Sequence, residues 1–174
     1  MAITKMQLGP LMRASRKAQE VMAAKDLEEW QREYRDIAGR FIHQLGLPDS
    51  VMEGDDASIA AVELALRNYI QAVAESWSEV AREEECADLV LGFSFYIGNV
   101  LLKRTTGHLQ QSKFGDLHVM YLHDTQGKIA ERPMSIFLAD TARGFIASMA
   151  LAEPTDMIRL IRIFSRRRPR RKKP

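Results

Sequence analysis

Apolar residues recur at alternating steps of three and four along three stretches of the chain. Leu27, Trp30, Tyr34, Ile37, Phe41 and Leu45 form the first, which predicts an α-helix with one apolar face. Asp26 and Glu29 stand where a reciprocal capping pair would open it, and Gly46 and Pro48 where it would stop. Ile59, Val62, Leu66, Tyr69, Val73, Trp77 and Val80 form the second, after a turn-rich acidic segment at 46–57. The third follows Glu83, Glu84 and Glu85, whose charge favours a helix N-terminus. Cys86, Leu89, Val90, Phe93, Ile97, Val100 and Leu101 share one side of it, and Leu91, Phe95 and Tyr96 make the other side apolar in part. A helix apolar nearly all round belongs at the centre of a core. Gly92 and Gly98 inside it each cost about 1 kcal/mol relative to Ala. They are expected where another backbone comes close. Upstream, Pro10 suits the first turn of a helix beginning near Leu11.

After Gly107 the texture changes. The segment 108–114, then Gly115–Asp116, then 117–124 predicts two strands joined by a two-residue hairpin turn. Residues 125–128 predict a second turn, and 133–139 a third strand. The middle strand is apolar on both faces, Leu117, Val119 and Tyr121 on one and Met120 and Leu122 on the other, as suits a strand covered on both sides. Asp140 is placed to cap a helix from Thr141 to about Leu151, Pro154 interrupts, and a last short helix starts near Thr155. In that last helix Met157, Leu160, Ile161 and Phe164 share a face, while Arg159 and Arg162 lie off it. The expected fold is therefore α+β: N-terminal helices beside a central apolar helix, packed on a three-stranded antiparallel meander, with a C-terminal helix and a disordered basic tail. One domain is expected over 1–165, with a helical half at 1–106 and a sheet-and-helix half at 107–165, followed by a tail at 166–174.

Composition narrows the class. The chain has 174 residues, 46% apolar and 28% charged, ordinary values for a globular domain. No continuous apolar run approaches the length of a membrane span, so no transmembrane segment is expected. The first 17 residues hold four Lys or Arg and no acid, without an apolar stretch and cleavage site; no secretory signal is expected, an amphipathic transit peptide being the other reading. The single cysteine, Cys86, rules out an intrachain disulfide or a Cys-based zinc site. A reducing, cytoplasmic setting is expected.

The net charge of +2 conceals an asymmetry. Seven of the cations, Arg166, Arg167, Arg168, Arg170, Arg171, Lys172 and Lys173, fall in the last nine residues. Without them 18 basic residues stand against 23 acidic ones, which leaves the body at −5. Attraction to a polyanion is thus concentrated in the tail. Seven clustered charges bind any polyanion in a salt-sensitive, sequence-independent way. The same run also serves simply as a solubilising terminus. With the helix before it, the run also suits an anionic membrane or an acidic protein. No aromatic residue interleaves the tail, so base stacking there is not available.

Candidate chemistry is sparse. Gly127–Lys128 lacks the Gly-rich run of a phosphate loop and reads as a turn. Gly92-Phe93-Ser94-Phe95-Tyr96 lacks the second glycine of a hydrolase elbow and lies mid-helix, where Ser94 is expected to bond back to a carbonyl one turn earlier. His43, His108, His118 and His123 do not pair at helix spacing, and His123–Asp124, though it has the letters of a metal-binding dipeptide, ends a strand. Cys86 beside three glutamates is expected to have a raised thiol pKa. No cofactor and no metal is expected, and the chain reads as non-catalytic.

The run Tyr96-Ile97-Gly98-Asn99-Val100-Leu101, then Gly107, strands over 108–139 and a helix from Asp140 resembles a loose group of small uncharacterised bacterial domains. Some of these are described as toxin-immunity or contact-dependent inhibition proteins. The group often has Trp in the first strand, where this chain has Leu109 or Gln111. The resemblance implies a small cytosolic binding domain without catalytic residues. Two functions follow as expectations. One is a protein-binding module, of immunity-protein or adaptor type, that takes a basic partner through Glu83, Glu84 and Glu85 or through the sheet face. The other is a nucleic-acid- or ribosome-associated protein anchored by its tail.

Overall fold

The computed structural model describes residues 8–74, 83–105, 107–121, 124–125, 128–129 and 134–165. The expected positions Trp77, Val80, Leu122, His123 and Gly127 and the whole tail lie outside them. The described chain is α+β, with six helices and a three-stranded antiparallel sheet. Helix α1 is Gly9–Ala23, with Pro10 in its first turn as expected. Helix α2, Leu27–Gln44, opens with the full capping box: Asp26 Oδ1 accepts from Glu29 N at 2.9 Å and Glu29 Oε2 from Asp26 N at 3.0 Å. It closes at Gly46, whose φ of 71° lets its N–H reach the His43 carbonyl while Leu47 N–H reaches that of Ile42. A 3-10 turn follows at Asp49–Glu53, then α3, Asp56–Val73, capped by Asp55 Oδ1 on Ser58 N–H at 2.7 Å.

Helix α4, Glu83–Arg104, is the centre of the molecule. Leu89, Val90 and every residue from Gly92 to Leu101 are buried. Helices α1 and α2 pack along it on one side, and α5, Leu138–Ala150, on another. Although the sequence has no unbroken apolar run of membrane length, α4 is long and apolar enough by mean hydropathy to span one. Here 78% of that stretch is buried in the fold, so its apolar surface is already taken up.

Its two glycines are sites of close approach, by side chains rather than by the backbone expected from sequence. A Cβ at Gly92 would stand 2.7 Å from Phe41 Cβ, and one at Gly98 would stand 3.0 Å from Leu138 Cδ1. The polar face of α4 is used as well. Asn99 Nδ2 and Lys103 Nζ donate to the Met52 carbonyl at 2.9 and 3.0 Å, Tyr96 Oη to that of Val51 at 3.3 Å, and Arg104 to that of Gly54 at 3.3 Å. These donors bind α4 to carbonyls of the 3-10 turn and its cap residue Gly54; the Val51 carbonyl also accepts from Gly54 N–H.

The sheet consists of β1 (His108–Gln111), β2 (Leu117–Tyr121) and a strand at Met134–Phe137, ordered as a meander with β2 in the middle. Between them a small hairpin of β3 (Asp124–Thr125) and β4 (Lys128–Ile129) forms its own pair, which makes Met134–Phe137 the fifth strand, β5. Three expectations are corrected. Strand β1 ends at Gln111, and the β1–β2 connection is the longer loop 112–116, closed by Ser112 N–H on the Asp116 carbonyl at 2.8 Å. Helix α5 begins at Leu138, directly off β5, so Asp140 lies in its first turn and is not its cap. Strand β2 is covered on both sides as expected, but its second face is not wholly apolar: opposite Leu117 and Val119 it carries a buried His118 beside Met120.

Helix α5 ends in the same two-bond motif as α2, with Glu153 N–H on the Ser148 carbonyl and Ala152 N–H on that of Met149. The left-handed residue is Ala152, at φ 57°, where α2 uses glycine. That conformation costs an L-residue about 1–2 kcal/mol. Two substitutions should therefore move stability in opposite directions in urea unfolding. Ala152→Gly should stabilise by about 1 kcal/mol, and Gly92→Ala should destabilise by about 1–3 kcal/mol through overpacking against Phe41. A neutral Gly92→Ala would contradict the tight α2–α4 approach.

Candidate functional site

The final helix, α6 (Met157–Ser165), runs back along α3 and is tied to it at both ends. At its start Glu63 of α3 accepts from Thr155 Oγ1 and, at 3.3 Å, from Met157 N–H. Arg67, one turn further along α3, donates to Thr155 Oγ1 at 2.6 Å and to the Glu153 carbonyl at 3.1 Å. Asp156 supplies a local cap, its Oδ1 accepting from Arg159 N–H at 2.7 Å. Further along α6, Arg162 pairs with Asp56 of α3, which also holds Arg104 of α4 at 2.7 Å. The two guanidiniums, Arg104 first and then Arg162, hold the Asp56 carboxyl below its ordinary pKa. Between these ties Met157 and Ile161 are buried in the core. Arg159, Arg162 and Ile163 face outward, and with Ile158 and Asp156 they line a concavity of about 590 Å³.

The seven tail cations, Arg166 to Lys173, begin where α6 ends and lie outside the described residues. The acidic candidates are inside, and each has an intramolecular partner. Arg13 Nε meets Glu83 at 3.4 Å, Lys17 Nζ meets Glu84 at 3.0 Å, and Tyr69 Oη donates to Glu85 Oε1 at 2.6 Å. The bond to Glu84 raises the Lys17 pKa. The first turn of α4 is thus cross-linked to α1 and α3, a use the run of three glutamates did not announce.

Nucleophile candidates are sequestered. Ser94 is buried and donates to the Val90 carbonyl one turn earlier at 2.6 Å, as expected. Burial, with Glu85 and Glu83 adding to it, pushes the Cys86 thiol up to about 12. Among the described residues no three of His, Cys, Asp or Glu come together as metal ligands. The sheet brings His108 and His118 to the same outward face, a neighbourhood that sequence spacing missed because it depends on register. There His118 stacks at 5.1 Å on Phe137, its cross-strand partner, with Nδ1 buried and without a partner among the described residues. A second concavity of about 340 Å³ lies between α2 and α4, with Phe41 and Gly92 as its floor and Arg40, Gln44 and Asp88 at its rim.

Comparison with protein-family models, with curated proteins and with solved structures gives no significant match.

The sequestration of Cys86 has a direct readout. At pH 8 a maleimide should label the native protein at least about a hundredfold more slowly than the urea-unfolded chain, because the thiolate is the reactive form. Comparable rates would show that the α4 N-terminus opens readily and that Cys86 is not held in the core.

Proposed function

We propose that this chain is a non-catalytic nucleic-acid-associated protein, in the cytoplasm, that holds RNA, ribosomal RNA included, through its C-terminal Arg/Lys tail. The folded body is the mount. The observation that carries the reading is the separation of charge: seven cations in the last nine residues, on a body of −5. Such a run neutralises phosphates without reading sequence, and its attraction falls steeply with salt. The structure adds support by subtraction. Glu83, Glu84 and Glu85, the acidic surface expected to take a basic protein, already bond to Arg13, Lys17 and Tyr69. Glu83 is thereby tied to α1 and Glu85 to α3, while the Glu84 side chain stays largely exposed.

A second reading, a protein-binding module of immunity-protein or adaptor type, is favoured by one feature. On the outward face of the sheet Phe137 is 41% exposed beside His118, whose Nδ1 has no bonding partner among the described residues. Such a face suits a partner that covers the aromatic ring and supplies a donor or acceptor.

The test is binding of a labelled single-stranded RNA 20-mer across a salt series, for the natural chain and for a full-length variant with all seven tail cations replaced by Gln. The natural chain should give a log–log salt slope of about −5, at roughly 0.7 per neutralised phosphate. The variant should lose nearly all of both affinity and slope. A variant that binds with the same slope would overturn the tail reading.

A further inference from the structure

We infer that the outward face of α6 is the folded half of the same surface: Arg159 and Arg162 carry the tail's charge onto the body, and the partner is a nucleic-acid phosphate backbone rather than a lipid bilayer. This rests on the tail reading above. The choice of partner follows from which side of α6 is free. A helix that lies on a membrane buries its apolar side among the acyl chains. Of that side in α6, Met157 and Ile161 are each 1% exposed and packed in the core. To insert, α6 would have to break the Glu63 and Arg67 contacts at its start and the Asp56–Arg162 pair. Among the described side chains it exposes Arg159, Arg162 and Ile163, with Ile158 and Leu160 half-buried. That face suits a surface of phosphates, while Met157 and Ile161, which a bilayer would have to take up, are held in the core.

The two arginines differ in readiness. Arg159 is exposed, and its side chain has no partner among the described residues. Arg162 shares Asp56 with Arg104, one carboxylate between two guanidiniums, and Asp55, in the field of Arg104, brings the cluster close to neutral. A phosphate can take the place of Asp56 on Arg162, since a guanidinium binds either anion through the same fork of donors. Nearby anions that oppose this include Asp156 and Asp55, already bonded to the backbone N–H groups of Arg159 and Ser58. Arg159 and Arg162, at i and i+3, are neighbours on the helix surface. In sequence the next cation, Arg166, follows four residues on.

The same RNA 20-mer and vesicles of phosphatidylserine and phosphatidylcholine test the inference on the full chain. Arg159→Gln should weaken RNA binding about fivefold at 0.1 M salt and flatten the slope by about 0.7, the share of one phosphate. Asp56→Asn should tighten it by a similar factor, and more than Asp36→Asn, which makes the same charge change on α2. If Arg159→Gln binds like the natural chain while the tail-neutralised variant has lost binding, the tail acts alone and the inference fails. If the tail-neutralised variant keeps its binding, the failure is in the tail reading instead. Vesicle binding that survives about 0.5 M salt, where screening leaves little but apolar contact, would overturn the choice of partner; loss of vesicle binding at that salt supports it.

Discussion

The contact of Phe41 with the bare backbone at Gly92 fixes how closely α2 lies against α4, and the rest of the fold is arranged around that spacing. With any side chain at 92 the two helices would stand further apart. Phe41 could not then keep its ring contacts at 5.7 Å to Phe93 and 6.2 Å to Tyr96. Tyr96 in turn reaches the Val51 carbonyl, one residue from the carbonyl held by Asn99 and Lys103, so the 3-10 turn between α2 and α3 depends on the same approach. The turn sets where α3 begins, and α3 carries Asp56, Glu63 and Arg67, which hold α6. One steric constraint at the centre is thereby passed to the position of the last helix.

Much of this was legible as period. The faces of α2 and α3 and the nearly uniform apolarity of α4 follow from spacing alone, because burial on a helix is a matter of angle. The capping box at Asp26–Glu29 and the Gly46 stop were legible because they are local. The sheet was legible as a meander but not in its ends. Nothing within 108–117 says that Gln111 ends the strand with its side chain bonded to the Met22 and Lys25 carbonyls at the α1–α2 corner. Asp140 was misplaced for a related reason: a residue suited to capping stands two positions inside a helix that starts straight from β5.

The candidate site divides the same way. The tail's charge is a property of composition and needed no structure. The ties from α3 to α6 join residues some ninety positions apart, and Glu63 looks in sequence like any charge on a helix. Glu83, Glu84 and Glu85 illustrate the converse. As a run they suggested a surface for a partner, and in the fold they cross-link α4 to its neighbours. What the run could not reveal is the location of Arg13, Lys17 and Tyr69.

The central claim is that α6 belongs to the rigid body and presents its arginines from a fixed position. Native-state hydrogen exchange at increasing urea tests it most directly, by comparing the amides of Leu160 and Ile161 with those of Phe93 to Val100. If α6 is held by α3 and by the core, its amides should exchange through the same global opening as α4, with the same free energy and the same urea dependence. Exchange of α6 through a separate, low-energy opening with little urea dependence would contradict the claim, because the helix would then leave the body with its apolar side free.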